Sequence, residues 1–212
     1  MDSSLQLICE VTLLVTAIFM NITRKNTSVV SIYAVQSLAL VVMLTGQAFQ
    51  LKSIDLYLLA LAMLAVKVIF VPHLFRSFIK RRHEPISSGT YLSSSLTLAT
   101  LLFLVIFVQS GVFAPASLST SSPILLLIDS GLMSFFMAVN RKGAILQIIG
   151  ILSLENSIFA MGHFLDPRMA GSLELGILFD VLFWAIIAST YLRMVYSHNR
   201  SLDVASLRKL KQ

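Results

Sequence analysis

The stretch Leu59-Ala60-Leu61-Ala62-Met63-Leu64-Ala65-Val66-Lys67-Val68-Ile69-Phe70-Val71-Pro72 carries one charge in an otherwise unbroken apolar run. The run extends from about Ile54 to Ile79, longer than the roughly 20 residues an α-helix needs to cross a bilayer at about 1.5 Å per residue. A charge near the bilayer centre costs about 2.5 to 3.5 kcal/mol on insertion scales, so such residues face a bundle interior or a wet cavity and find partners there. Two more charges occupy the same setting, Glu155 within Leu154-Glu155-Asn156-Ser157 and Asp180 within Leu178-Phe179-Asp180-Val181-Leu182-Phe183.

Working outward, composition fixes the class. Of the 212 residues 57% are hydrophobic and 12% charged, and the mean hydropathy is +0.86. A soluble domain of this size carries about 25% charged residues, so the chain reads as an integral membrane protein. Its single cysteine, Cys9, rules out an internal disulfide and a multi-cysteine zinc or iron-sulfur site. The start, Met1-Asp2-Ser3-Ser4, has no positive n-region and no small-residue cleavage site follows, so the first apolar segment reads as a retained span.

Polar interruptions divide the chain into about seven transmembrane helices: Leu5 to Ile22, Ser28 to Phe49, Ile54 to Ile79, Tyr91 to Gln109, Pro123 to Asn140, Ala144 to His163 and Ser172 to Val195. The most loop-like tract, Gly111 to Ser122, is rich in Ser, Thr, Pro and Gly. Alternating crossings collect Arg24, Lys25, Arg76, Lys80, Arg81, Arg82, Arg141, Lys142, Arg193, Arg200, Arg208, Lys209 and Lys211 on one face, against Lys52 and Arg168 on the other. Basic residues in short loops mark the cytoplasmic side. The expected fold is therefore an all-α polytopic membrane protein with its N-terminus outside and its C-terminus cytoplasmic. The net charge of +6 is then a topology signal, and these dispersed bases, able to hold anionic lipid head groups, point to no nucleic acid.

Two segments share a plan. Arg24-Lys25 precedes a helix containing Gln36, and the next helix carries Lys67; Arg141-Lys142 precedes a helix containing Glu155, and the next carries Asp180. The pattern divides the single membrane domain into a three-helix unit, 1–82, a linking helix and loop, 83–122, a second three-helix unit, 123–200, and a tail, 201–212. Such units would form a parallel repeat; the competing reading is that any two Leu-, Val- and Ile-rich hairpins look alike. The tail mixes Leu202, Val204, Leu207 and Leu210 with basic residues, as a short amphipathic turn on the membrane or a cytoplasmic partner would.

Candidate ion-path residues follow from the buried charges. Ile151, Leu152 and Phe159 share a face with Glu155, which displays the carboxylate on an apolar stripe. A carboxylate so placed, near a lysine, is a group that loads and releases a proton. Asp180 has no strongly polar neighbour within a turn, so it needs a partner on another helix or water, and Lys67 is the leading choice. Pro72 removes the hydrogen bond to the Val68 carbonyl, which predicts a kink and a hydrated spot beside Lys67. The alternative for all three charges is architectural: ion pairs that fix helix register. Asp129, nearer the outer end, reads equally as a packing or an entrance residue. Glu10, His163 and Glu174 read more simply as boundary groups hydrogen-bonded near water, and His73 as satisfied by backbone.

Other chemistries lack a basis in the residues. The histidines are too scattered for a metal site, no glycine-rich phosphate loop is present, and no nucleophile with base and orienter can be assembled, so no cofactor and no catalytic residue is expected. Asn21-Ile22-Thr23, Asn26-Thr27-Ser28 and Asn199-Arg200-Ser201 match the glycosylation pattern but fall on the face read as cytoplasmic.

Lys67-Val68 followed by Val71-Pro72, Leu154-Glu155-Asn156, Asp180 ahead of an apolar run, and the tail Ser201-Leu202-Asp203-Val204 give the chain its family resemblance. Over most of its length it resembles component E of the hydrogenase-4 type, a membrane subunit of formate hydrogenlyase and related group 4 nickel-iron hydrogenases. Its second half is similar to the three-helix K-type subunit of respiratory complex I, in which carboxylates on two successive helices belong to the proton path. Glu155 takes the first carboxylate's place; Asp180 stands where the second would be glutamate, a departure. The resemblance implies a non-catalytic membrane-arm subunit of a prokaryotic cytoplasmic (inner) membrane. It would lie beside antiporter-like subunits and the peripheral nickel-iron hydrogenase and iron-sulfur subunits, and contribute to coupled proton or sodium translocation. A purely structural anchor in the same complex and an independent small-solute transporter are the alternatives.

Overall fold

The computed structural model describes residues 3–81, 89–110 and 122–165. Among them the backbone is helical, with one isolated bridge between Thr90 and Arg141 and no strand of a sheet. The helices are α1 (Ser3–Ile22), α2 (Asn26–Leu51), α3 (Ile54–Met63), a π-helical segment (Leu64–Phe70), α4 (Val71–Arg81), α5 (Ser94–Gln109), α6 (Ser122–Asn140) and α7 (Ala144–Leu165). Helix α3, the π segment and α4 follow without a break, so residues 54–81 form one rod.

Among the described residues five helices are long and apolar enough to cross a membrane: Ser4–Ile22, Asn26–Leu51, Ile54–Lys80, Pro123–Asn140 and Ala144–Leu165. Their outward faces are apolar, with Phe49 76%, Leu61 62% and Phe135 55% exposed. Such a surface suits lipid and not water, and the chain is a membrane protein. Helix α5, the expected fourth span, has 16 residues, short of the length that crosses unaided. Its start is set by Ser93, whose hydroxyl accepts from the Leu96 N–H at 3.3 Å in an N-cap. Tyr91, expected inside the helix, instead donates its N–H to the Asn140 carbonyl at 2.9 Å. The expected seventh span, 172–195, lies outside the described residues.

Local chemistry explains the other boundaries. Lys52 adopts a left-handed conformation, φ 50°, which ends α2 and returns its N–H to Ala48. Ser53 then caps α3, accepting from Leu56 N–H at 3.5 Å. At the opposite end of the bundle, residues 89–91 lie antiparallel to residues 140–142, with Lys142 N–H donated to Gly89 at 3.1 Å.

Packing is closest between α6 and α7. A Cβ on Gly150 would lie 2.7 Å from Ala138 N and 2.9 Å from Ala138 Cα. Those are backbone atoms that cannot swing aside, so glycine is what allows the approach. Among the described residues the interior is layered along the bundle axis. One apolar cluster joins Met20, Tyr33, Phe75, Met137 and Ile149 near the Arg141 end. Another joins Leu13, Leu44, Leu59, Leu127 and Phe159 toward the Lys52 end. Between them lies a polar level containing Gln36, Ser37, Lys67, Asn156 and Ser157, all buried.

Candidate functional site

The polar level is built where the π segment faces α2 and α7. Lys67 Nζ donates to Glu155 Oε1 at 2.9 Å and to Asn156 Oδ1 at 3.0 Å. The pair is lopsided: the lysine side chain is 1% exposed and the glutamate side chain 21%. Two of the three ammonium hydrogens are thereby used. Asn156 passes the connection on, its Nδ2 donating to Gln36 Oε1 at 3.3 Å and Ser37 Oγ at 3.2 Å. Gln36 Nε2 in turn donates to the Leu13 carbonyl at 3.3 Å, so one connected network joins the π segment, α7, α2 and α1.

Sequence reasoning chose Lys67 and Glu155, and they meet. Asp180, for which Lys67 was the leading expected partner, lies outside the described residues. Just before Pro72 the helix also changes register, a feature not expected from the sequence. Seven residues before Pro72, Leu64–Phe70, form a π-helix, and Val71 N–H reaches the Val66 carbonyl, five residues back. A π turn inside an α-helix often marks a functional site. Lys67 stands in the middle of this one.

Hydroxyls continue the polar level between α6 and α7. Ser130 and Ser157 are hydrogen-bonded at 2.9 Å, and Ser134 and Ser153 at 2.7 Å, all four buried. Ser134 Oγ also donates to the Ser130 carbonyl at 2.7 Å and Ser157 Oγ to the Ser153 carbonyl at 3.2 Å, and since a hydroxyl has one hydrogen, Ser153 and Ser130 are then the donors within the two pairs. Ser153 and Ser157 flank Glu155 two residues on either side. These serines were not anticipated, because a lone serine in an apolar helix gives no sign of what faces it. Asn156 entered only as part of the Leu154-Glu155-Asn156 motif and is here the hub.

Asp129 is fully buried on α6; Oδ2 accepts from Gln109 Nε2 at 3.0 Å, and Oδ1 has no hydrogen-bond partner among the described residues. It ties α5 to α6 and is not hydrogen-bonded to the Lys67 network. Glu10 is likewise fully buried, accepting from Gln6 Nε2 at 3.0 Å; of the two expected explanations, hydrogen bonding or a short reach to water, this is the first. His163 Nδ1 is buried with no hydrogen-bond partner among the described residues; Glu174 lies outside them. No group of three or more His, Cys, Asp or Glu gathers as a metal site among the described residues.

One buried cation was read from sequence only as a topology charge. Arg141, 1% exposed, donates through Nη2 to the carbonyls of Met20, Asn21 and Thr23 at 2.6, 2.8 and 2.6 Å. These carbonyls end α1, where the helix dipole is negative. Burial, and secondarily the neighbouring Arg24, pull the Arg141 guanidinium down to about 10, still charged at neutral pH.

No protein-family model matches the sequence, and neither a curated protein nor a solved structure matches it.

Proposed function

We propose that the chain is a non-catalytic membrane-arm subunit of a complex I-related membrane-bound hydrogenase of the formate hydrogenlyase type, contributing to coupled proton or sodium translocation. The observation that carries this reading is the Lys67–Glu155 pair at mid-bundle, 2.9 Å apart, with the glutamate the less buried member. A carboxylate that touches both a buried ammonium and a less buried space is placed to exchange a proton while the lysine holds the compensating charge. In this reading Glu155 is the protonatable relay, Lys67 the charge that tunes it, and Asp180 a second relay. Asp129 is a further ion-path candidate on the outer half. The parallel repeat of two three-helix units, seven spans, a cytoplasmic C-terminus and a prokaryotic inner membrane belong to the same proposal.

The second reading is a structural anchor, favoured by the way Asn156 ties the ion pair to α2: such a network also serves to fix helix positions. Purification in mild detergent through a C-terminal tag, with mass spectrometry of what accompanies it, tests the assembly. Recovery of hydrogenase and antiporter-like subunits supports it, and recovery of the folded chain alone favours an independent transporter. Within an intact assembly, Glu155→Gln should abolish coupled ion movement if Glu155 is a relay. An anchor would keep it.

A further inference from the structure

Away from the ion pair, the end of the bundle that carries Arg141 holds a cavity of about 330 Å³ between the last turn of α1 and the first turn of α5. Arg24 and Arg141 both line it, with Ser94 and Thr97 of α5. No aspartate or glutamate among the described residues does. The two guanidiniums are close enough for Arg24 to disfavour the charged form of Arg141. Two like charges on one cavity, with no carboxylate between them among the described residues, favour an anion there.

The donors are free to meet one. Arg141 spends Nη2 on α1, while Nη1 is buried with no hydrogen-bond partner among the described residues. A buried N–H of a cation is costly to leave unmade, and this one belongs to a cavity-lining residue that is 1% exposed. Arg24 is held at the mouth by its Nη2 bond to Ser94 Oγ at 2.5 Å. Ser94 opens α5, a helix of 16 residues whose positive end therefore lies at the cavity. Guanidinium groups match the tetrahedral oxygens of phosphate, and the hydroxyls of Ser94, Thr97 and Thr90 on the same cavity add donors.

The rim decides what carries the phosphate. Ile22, 46% exposed, and Leu98, 52% exposed, both border the cavity. Beyond them, one turn along each helix, Phe19 is 55% and Leu102 62% exposed. A free phosphate ion has no use for that apolar surface, whereas acyl chains lie along it. We propose that this cavity binds the phosphoryl group of an anionic phospholipid, between Arg24 at the mouth and Arg141 at the floor, with the acyl chains over the exposed faces of α1 and α5. Basic pockets between transmembrane helices take lipid head groups in this manner.

The test uses the full chain in detergent, titrated with phosphatidylglycerol or phosphatidylcholine and read by native mass spectrometry. Arg141 stays intact because it also clamps α1. Phosphatidylglycerol should be retained in preference to phosphatidylcholine, and Arg24→Gln should weaken its binding about fivefold. Lys25→Gln, adjacent but not lining the cavity, should change it less than twofold. Equal retention of the two lipids, or equal losses in the two variants, overturns the proposal. Binding of inorganic phosphate alone, with no lipid preference, overturns the lipid as carrier and assigns the cavity to the free ion.

Discussion

Removing the two members of the buried ion pair separately and then together tests whether the polar level is a coupled unit. Lys67→Met leaves Glu155 without its lysine, but that side chain is 21% exposed and can meet water. Glu155→Leu leaves an ammonium on a side chain 1% exposed, held by Asn156 Oδ1 at 3.0 Å. Breaking a buried pair from one side costs about 3 to 5 kcal/mol, and replacing both partners by apolar residues is often close to neutral. We therefore expect about 2 kcal/mol for Lys67→Met, where exposure of the partner discounts the loss, and about 4 kcal/mol for Glu155→Leu. The double variant should lose only about 1 to 2 kcal/mol, the share of the Lys67→Met loss that comes from Asn156 lacking its donor. Unfolding by SDS in mixed micelles, followed by circular dichroism, gives all three values. If the single losses add to the double within about 0.5 kcal/mol, the residues are not coupled and the reasoning fails.

Three other outcomes follow. Gly150→Ala should destabilise by about 1 to 3 kcal/mol in the same assay, because its methyl meets the Ala138 backbone at 2.7 Å; Gly131→Ala, whose nearest neighbours stand 3.6 Å away on side chains, should be nearly silent. With Cys9 replaced by serine, Lys52→Cys and Lys142→Cys should label from opposite sides of sealed membranes, the second from the cytoplasm; labelling from one side would refute the proposed topology. Arg141→Met should cost at least about 3 kcal/mol, since it orphans the carbonyls of Met20, Asn21 and Thr23. The sign for pH follows from its folded value of about 10, below the ordinary guanidinium range that the unfolded chain keeps: the charging penalty is constant below pH 10 and is relieved only above it. Arg141 thus contributes no slope between pH 6 and 9, and a step there that vanishes in Arg141→Met would contradict this.

Helix positions were legible because the apolar runs are long and their interruptions abrupt. The reading placed a boundary at Ile54, Gln109, Asn140 and Ala144, and the helices of the fold begin or end there. Glu155 and Lys67 stood out as lone charges among Leu, Val and Ile, and the cost of such charges in hydrocarbon made a partner compulsory. The rest depended on which faces meet. Ser130, Ser134, Ser153 and Ser157 are common residues in apolar helices, and only the close approach at Gly150 turns them into pairs. Arg141 looked like a loop charge in water because its burial comes from α1, 120 residues earlier in the chain.

The buried line along residues 54–81 bears on the lysine itself. Met63, Lys67, Val71, Phe75 and Ile79 are all buried and each is four residues from the next. On an α-helix of 3.6 residues per turn, every such step overshoots by about 40°, so the line would wind away from the core over its length. The wider π turn at Leu64–Phe70 absorbs part of that overshoot. Lys67 sits within the correction and not beside it. Rewinding that turn into α register would rotate α4 against α3 and carry the ammonium off the line that points at Glu155, so the angular phase of this one rod and the integrity of the ion pair are a single variable.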